Sequence, residues 1–289
     1  MKLFKEGLPI FRGNLHAHTT RSDGALTPRQ VMELYQARGY DFLALTDHWR
    51  PNQPEQYRNM LVLSGAEMDA QLPDQVVHIV GIGLDGGLPA EARPGIGPED
   101  MAQAARDAGG RAILCHPAWS LNTPQVMMAL QGVAGVEIYN SFSGIPWNAP
   151  RADSSTQIDL AFTQGFRAAI VASDDAHRYT GEAGLAATWI QARDLTREAL
   201  LEGLDRGACY ASQGPAFRQI TWEDGQVEVA CSPVDTIVFL SNLPWSKDRC
   251  RQGRDMTGAL YRLRPGEQYV RVEIIDRYGR RAWSGAVAG

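Results

Sequence analysis

His16 and His18 stand two residues apart in Gly13-Asn14-Leu15-His16-Ala17-His18. Side chains at i and i+2 of a strand point to the same side. Two imidazoles on one side of a strand do not make an apolar core. Ser22-Asp23-Gly24, a turn-like triplet, follows. Asp175 and His177 repeat the spacing of the first pair. Imidazole with carboxylate is the ligand set of zinc, manganese or iron sites.

The chain has 6 histidines, His16, His18, His48, His78, His116 and His177. All fall at or beside an expected strand in the first two thirds of the chain. One metal cluster explains them together, whereas separate structural roles need a separate reason for each. Adding Asp23, Glu67 and Asp175 brings the nitrogen and oxygen donors to His16, His18, Asp23, His48, Glu67, His78, His116, Asp175 and His177. One ion cannot use all of these and keep a position open for water, so two or three divalent ions are expected. A carboxylate in such a set bridges two ions, and Glu67 is the candidate.

The elements that position these donors alternate. Thr27-Pro28 with Gln30 forms a capping box and opens a helix over 27–40 that Gly39 stops. The run 41–46 ends in Asp47-His48, and 60–64 ends in Gly65-Ala66-Glu67. The run 76–80 carries His78, 112–115 ends in His116-Pro117, 135–139 ends in Asn140, and 167–171 leads to Asp174-Asp175-Ala176-His177. Helices are expected near 98–109, from Thr123-Pro124, over 153–164 and over 196–206. Short apolar runs between helices predict buried parallel strands, in an open sheet or a barrel. In a barrel the strand ends converge on one mouth. After residue 212 the texture becomes short alternating runs and hairpin-like turns at Glu223-Asp224-Gly225 and Arg277-Tyr278-Gly279. The expected division is 1–212, a metallohydrolase barrel, and 213–289, a small β-rich appendix.

With 289 residues, 44% hydrophobic and 21% charged, the composition is that of an ordinary globule. A net charge of -5 and the lack of a basic run argue against nucleic acid as a main partner. No apolar run is long enough for a membrane span. Met1–Gly7 lacks the apolar segment of a signal peptide. Cys115, Cys209, Cys231 and Cys250 form no CxxC and read as reduced, buried thiols of a cytoplasmic protein. Lysine occurs only at Lys2, Lys5 and Lys247, which argues against Schiff-base chemistry and leaves no Walker lysine. Gly81-Ile82-Gly83-Leu84-Asp85-Gly86 matches GxGxxG but is not followed by a helix start, so it reads as a flexible loop over the cleft.

His16-x-His18, Ser22-Asp23-Gly24, Thr46-Asp47-His48, Glu67, His78, His116-Pro117 and Asp175-x-His177 resemble, in that order, the polymerase and histidinol phosphatase (PHP) family of metal-dependent phosphoesterases. The resemblance spans about residues 13–180. It implies an α/β fold, a distorted (βα)7 barrel, with up to three zinc, manganese or iron ions in a cleft at the strand ends. The antiparallel β appendix lies outside the family pattern. Carried over by position, one ion takes His16, His18, Glu67 and Asp175, a second Glu67, His78 and His116, and a third Asp23, His48 and His177. Asp23 stands where the family often has His.

A metal-bound water loses its proton near neutral pH, and two adjacent metals hold nucleophile and leaving oxygen together. Arg21, Arg50 and Arg178 flank ligand motifs and could grip phosphate with planar donors. Asp47 is expected to support a ligand rather than bind metal. Asn140 is expected at the pocket or in a structural loop. The expected activity is hydrolysis of a phosphate ester on a small phosphorylated molecule. The alternatives are hydrolysis of an uncharged ester, amide or carbamate, or a non-catalytic metal-bearing regulatory module.

Overall fold

The computed structural model describes residues 3–4 and 7–287. Most of the Met1–Gly7 stretch, including Lys2 and Lys5, therefore lies outside the described residues. Strands β1 (Ile10–Asn14), β2 (Phe42–Leu45), β3 (Glu55–Tyr57), β4 (Met60–Gln71), β5 (Val76–Ile82), β6 (Arg111–Leu114), β7 (Val133–Asn140), β8 (Ala169–Ser173), β9 (Ala187–Gln191) and β10 (Cys209–Ser212) come first. Helices α1 (Pro28–Ala37), α2 (Pro98–Asp107), α3 (Pro117–Ser120), α4 (Pro124–Ala129), α5 (Ser155–Thr163) and α6 (Arg197–Asp205) lie between them. Strands β11 (Phe217–Glu223), β12 (Gln226–Leu240), β13 (Cys250–Arg262), β14 (Arg271–Ile275) and β15 (Arg281–Ser284) complete the fold.

Local chemistry explains the helix starts. Thr27 and Gln30 form both halves of the capping box, and Val31, Met32 and Tyr35 turn inward. Thr123 and Thr196 cap α4 and α6 through their hydroxyls.

The strands form one mixed sheet, in which β1, β2 and β4 run parallel, as do β6, β7 and β8. The expected run of parallel βα units breaks at β4–β5–β6, which pair antiparallel. The cause is the tight turn after Gln71, where the Leu72 N–H bonds the Gln75 carbonyl. Parallel pairing needs a crossover of a dozen residues or more, and this turn has no room for one. Glu67, expected after a strand ending at 64, consequently lies within β4, while His78 lies within its strand as expected.

The expected barrel is also not a closed ladder: the sheet is an open path that ends at β11 and at β8. Where β8 approaches β1, one parallel bridge joins Ala17 to Ala176. The Asp175 N–H bonds the His16 carbonyl at 2.9 Å, and the His18 N–H bonds the Ala176 carbonyl at 3.0 Å. The Asp174 N–H bonds Asn14 Oδ1 at 2.8 Å. That seam is the place where His16, His18 and Asp175 meet.

Beyond residue 212 the strands extend the same sheet, since Tyr210, Ala211 and Ser212 of β10 pair with β15. They carry their own apolar cluster, including Phe217, Ile237, Phe239 and Val272. Where the alternating texture suggests short runs, β12 is one long strand over Gln226–Leu240, whose pairing with β13 shifts register between Ala230 and Thr236. Pro233 sits in that irregular stretch, where a missing N–H is tolerated. Asp224 and Gly225, both at positive φ, close the β11–β12 hairpin.

The GxGxxG segment is not over the cleft. Arg197 donates to the Gly83 and Gly109 carbonyls at 2.8 and 2.9 Å, holding the loop at the start of β6, the end opposite His116. Cys115, Cys209 and Cys231 are buried, whereas Cys250 is exposed, and no disulfide occurs among the described residues. No described helix is long and apolar enough to cross a membrane.

Candidate metal centre

All nine candidate donors converge on one cleft. His16 and His18, continuing β1, are fully buried and meet Glu67 of β4 and Asp175 beyond β8. His16 Nε2 lies 3.2 Å from Glu67 Oε2 and 3.1 Å from Asp175 Oδ1. His18 Nε2 lies 3.1 Å from each of the same two oxygens. His16 Nε2, His18 Nε2 and Asp175 Oδ1 are buried without a hydrogen-bond partner. Two donors on one zinc-like ion, each about 2.1 Å from it, lie roughly 2.9–3.4 Å apart. The donor set therefore fits a divalent cation, which would satisfy three buried atoms that nothing else satisfies.

The second oxygen of Glu67 faces another group. Glu67 Oε1 is 2.6 Å from His78 Nδ1 and 3.5 Å from His116 Nε2. A third group forms at the rim, where Asp23 Oδ2 is 3.4 Å from His177 Nε2 and 3.6 Å from His48 Nε2. His18 joins it, its Nδ1 lying 3.4 Å from Asp23 Oδ1. The donor atoms of each group lie within 4.8 Å of one another. Glu67 thus stands between two donor groups, with one oxygen on each.

The electrostatics follow from this crowding. Burial disfavours the charged forms of His16 and His18, yet the facing carboxylates, Asp175 foremost, raise both above the ordinary imidazole value. Burial likewise opposes ionisation of Glu67 and Asp175, but the surrounding histidines, His16 first, hold both below the usual carboxylate range. Asp23 is held low against its burial by hydrogen bonds from His177 and His18. His48 goes the other way, its burial outweighing Glu67. The centre keeps its carboxylates ionised, as cation binding requires.

Backbone conformation and supporting residues aim the donors. His116 and Asp175 adopt left-handed backbone, φ 31° and 52°. Such non-glycine positions carry roughly 1–3 kcal/mol of strain and cluster at functional sites. Gly24 lets the Asp23 turn fold back, since a Cβ there would lie 2.4 Å from the His18 carbonyl. Asp47 accepts from the Thr19 and Ser22 N–H groups and from both hydroxyls. It orders the loop that carries Asp23 rather than gripping a histidine directly.

Glu137, outside the donor set expected from the sequence, holds His16 and His116. Its Oε1 is 3.0 Å from His16 Nδ1, and its Oε2 accepts from the His116 N–H at 2.9 Å. Its signal was a lone carboxylate inside the apolar run Val136-Glu137-Ile138 of β7. Asn140 donates to Glu137 Oε2 at 2.8 Å and to Asp175 Oδ2 at 3.2 Å, a supporting place in the site. Cys115 adjoins His16 and Glu137, and burial raises its thiol well above the ordinary value.

Over the donors opens a cavity of about 380 Å³ whose lining includes Trp119, Phe142, Ser143, Asn148 and Arg178. The Trp119 ring packs edge-on against His78 and His116. Phe142 stacks on His177 with centroids 4.5 Å apart. Asn148 accepts from Trp119 Nε1 and donates to the Phe142 carbonyl, holding the two aromatic walls together. Of the three arginines singled out, only Arg178 is among the lining residues. Arg21 and Arg50 are exposed, and Arg50 donates to the Arg21 carbonyl at 2.7 Å.

No protein-family model matches the chain. The 3',5'-nucleoside bisphosphate phosphatase of Chromobacterium violaceum is 39% identical over 85 residues, covering 27% of this chain and 30% of that protein. The 5'-3' exoribonuclease Rnm of Escherichia coli is 35% identical over 80 residues, covering 25% of this chain and 27% of that protein. The chain thus spans less than a third of the length of either curated relative. A solved two-domain protein from Bacteroides vulgatus, containing a predicted PHP-like metal-dependent phosphoesterase, aligns with TM-score 0.55 at 15% identity. That alignment covers 98% of this chain and 96% of that one, so the likeness of fold extends through the C-terminal strands.

Proposed function

We propose that this chain, PHP-like in its motifs and fold, is a metal-dependent phosphoesterase acting on a small phosphorylated molecule with a planar leaving group, a nucleotide above all. The observation that carries the reading is Glu67, whose two oxygens face two separate groups of imidazoles. A carboxylate shared in this way suits a bridged pair of divalent ions. We assign His16, His18, Glu67 and Asp175 to one ion, Glu67, His78 and His116 to a second, and Asp23, His48 and His177, with His18 beside them, to a third. Zinc, manganese and iron all suit this imidazole–carboxylate set.

Ions bound there would supply a water of lowered pKa and neutralise charge on the phosphoryl oxygens. The chain's own residues do the rest. Glu137 accepts the Nδ1 proton of His16, leaving Nε2 free to ligate. Arg178 offers a planar cation to phosphate at the rim. Trp119 and Phe142 line the cavity and would give a nucleobase apolar flanks. The phosphatase from Chromobacterium violaceum supports a nucleoside phosphate as substrate class. The net charge of -5 favours a small substrate over nucleic acid. The cysteines, none of them paired, suit a reducing, cytoplasmic setting. We keep 213–289 as a β-rich unit that continues the sheet of residues 1–212.

The test is metal analysis of the purified protein coupled to turnover of nucleoside 3',5'-bisphosphate, 4-nitrophenyl phosphate and a short RNA. Metal-dependent phosphate release, fastest from the bisphosphate, is expected. Full metal content with no phosphate release from any of the three would overturn the reading. Preference for RNA would replace the small-molecule substrate with nucleic acid.

A further inference from the structure

The cleft wall at 141–154 joins β7 to α5 and carries Phe142, Ser143 and Asn148. Its two ends are zipped together, since the Asn140 N–H bonds the Ala152 carbonyl at 3.0 Å and the Ser154 N–H bonds the Ile138 carbonyl at 2.8 Å. Both ends then rest on the C-terminal strands. At the β7 end, Tyr139 stacks on the fully buried Trp283 of β15, centroids 5.6 Å apart. At the other end, Asp153 Oδ2 lies 3.2 Å from Arg281 Nη1. Arg281 also reaches Glu273 at 3.0 Å, and Glu273 lies 3.5 Å from Arg271. Arg271, 1% exposed, grips Asp159 of α5 through Nε and Nη2 at 2.6 and 2.7 Å.

We infer that the C-terminal strands hold the catalytic cleft in shape, with Arg281 and Trp283 as positioning residues for the 141–154 wall. None of these groups touches the cavity. Each acts through the segment that does: Asn148 ties the wall to Trp119, and Asn140 ties its root to Asp175. The arrangement is more than a packing contact in one respect. Arg281 lies on β15 and Asp153 on the wall itself, so the ion pair fixes the wall directly rather than the sheet beneath it. A wall set loosely would change how substrate seats while leaving the donors that follow β1 and lie on β4 in place.

The inference predicts a split effect. In Arg281→Met the aliphatic stem remains and the charge is lost. Amide hydrogen exchange over 141–154 should accelerate, with β4 and β8 unchanged. KM for the nucleotide should rise by about two- to thirtyfold with kcat nearly constant. Arg281→Lys should recover part of the loss, and Asp153→Asn should reproduce it from the other side. Arg277→Met, which removes the exposed ion pair with Asp255, is the control and should change neither reading. If both Arg281→Met and Asp153→Asn leave exchange over 141–154 at the wild-type rate, the inference is overturned. It is likewise overturned if exchange accelerates evenly through the chain, which would mark a loss of stability only. The kinetic arm rests on the phosphoesterase reading, but the exchange arm does not. A protein without phosphatase activity would sink that reading and still report on the wall.

Discussion

Two clusters of charged side chains lie in this molecule, one buried in the cleft and one running from buried Arg271 out to half-exposed Arg281, and they are solved in different ways. In the cleft, Glu67 and Asp175 face imidazoles, and three buried donor atoms have no hydrogen-bond partner. Behind the cleft wall, Asp153, Asp159 and Glu273 face Arg271 and Arg281, so the chain supplies its own cations. Burying a charge is costly unless it is paired. The second cluster meets most of that requirement with guanidinium groups, which hold Asp159 by two hydrogen bonds while Arg271 Nη1 stays without one. In the first, the histidines supply part of the compensation, and a divalent cation would satisfy the three donor atoms left without a partner. The comparison separates a site built to bind from a network built to hold.

Four substitutions test that contrast. Glu67→Gln should be the most severe for function, lowering kcat/KM on the order of 10²–10³-fold with loss of bound metal, checked by turnover and elemental analysis. Asp159→Ala should be the most severe for stability, because it removes both hydrogen bonds to buried Arg271 and leaves Glu273, 3.5 Å away, to face that cation. A loss of about 3–5 kcal/mol is expected from urea denaturation, with metal content retained in the folded protein. Glu137→Gln should weaken metal binding by about 10- to 100-fold while the fold persists, read by chelator competition.

The smallest effect concerns pH, where the two clusters carry opposite signs. Glu67 is held below its ordinary value, so in the metal-free protein its contribution to stability is present above about pH 4.5 and is lost as pH falls through the lowered value. Glu273 is pushed upward, burial outweighing its two arginines. Its contribution is therefore present below about pH 4.5 and is lost as pH rises through the raised value. Glu273→Gln should flatten the decline in melting temperature above that pH. An unchanged slope in that variant would show that Glu273 does not titrate differently in the folded chain.

The donors were legible because their chemistry is local and rare. With 6 histidines in the chain, all at strand ends or on strands, position along the sequence already pointed to one place. The same holds for α1, whose capping box and inward face are written within a dozen residues. Glu137 was harder to read. A single carboxylate within an apolar strand declares its side only when the sheet shows which way Val136 and Ile138 point. The arginines were harder still: a loop arginine beside a ligand motif reaches the cleft or misses it according to loop shape. Arg178 lines the cavity, whereas Arg50 turns back to the Arg21 carbonyl.

What the sequence determined alone was the donor set, the elements that carry it, and the change of texture after residue 212. These rest on side-chain type and short-range periodicity, which survive in one dimension. Strand direction did not survive. The apolar run at 76–80 looks the same whether it pairs parallel or antiparallel, and only the tight turn before it, folded, reversed it. The division of Glu67 between two donor groups, the unclosed seam that gathers His16, His18 and Asp175, and the grip of β15 on the cleft wall were decided by tertiary structure. Each depends on contacts between residues far apart in the chain, such as Asp153 with Arg281, whose spacing carries no local signal.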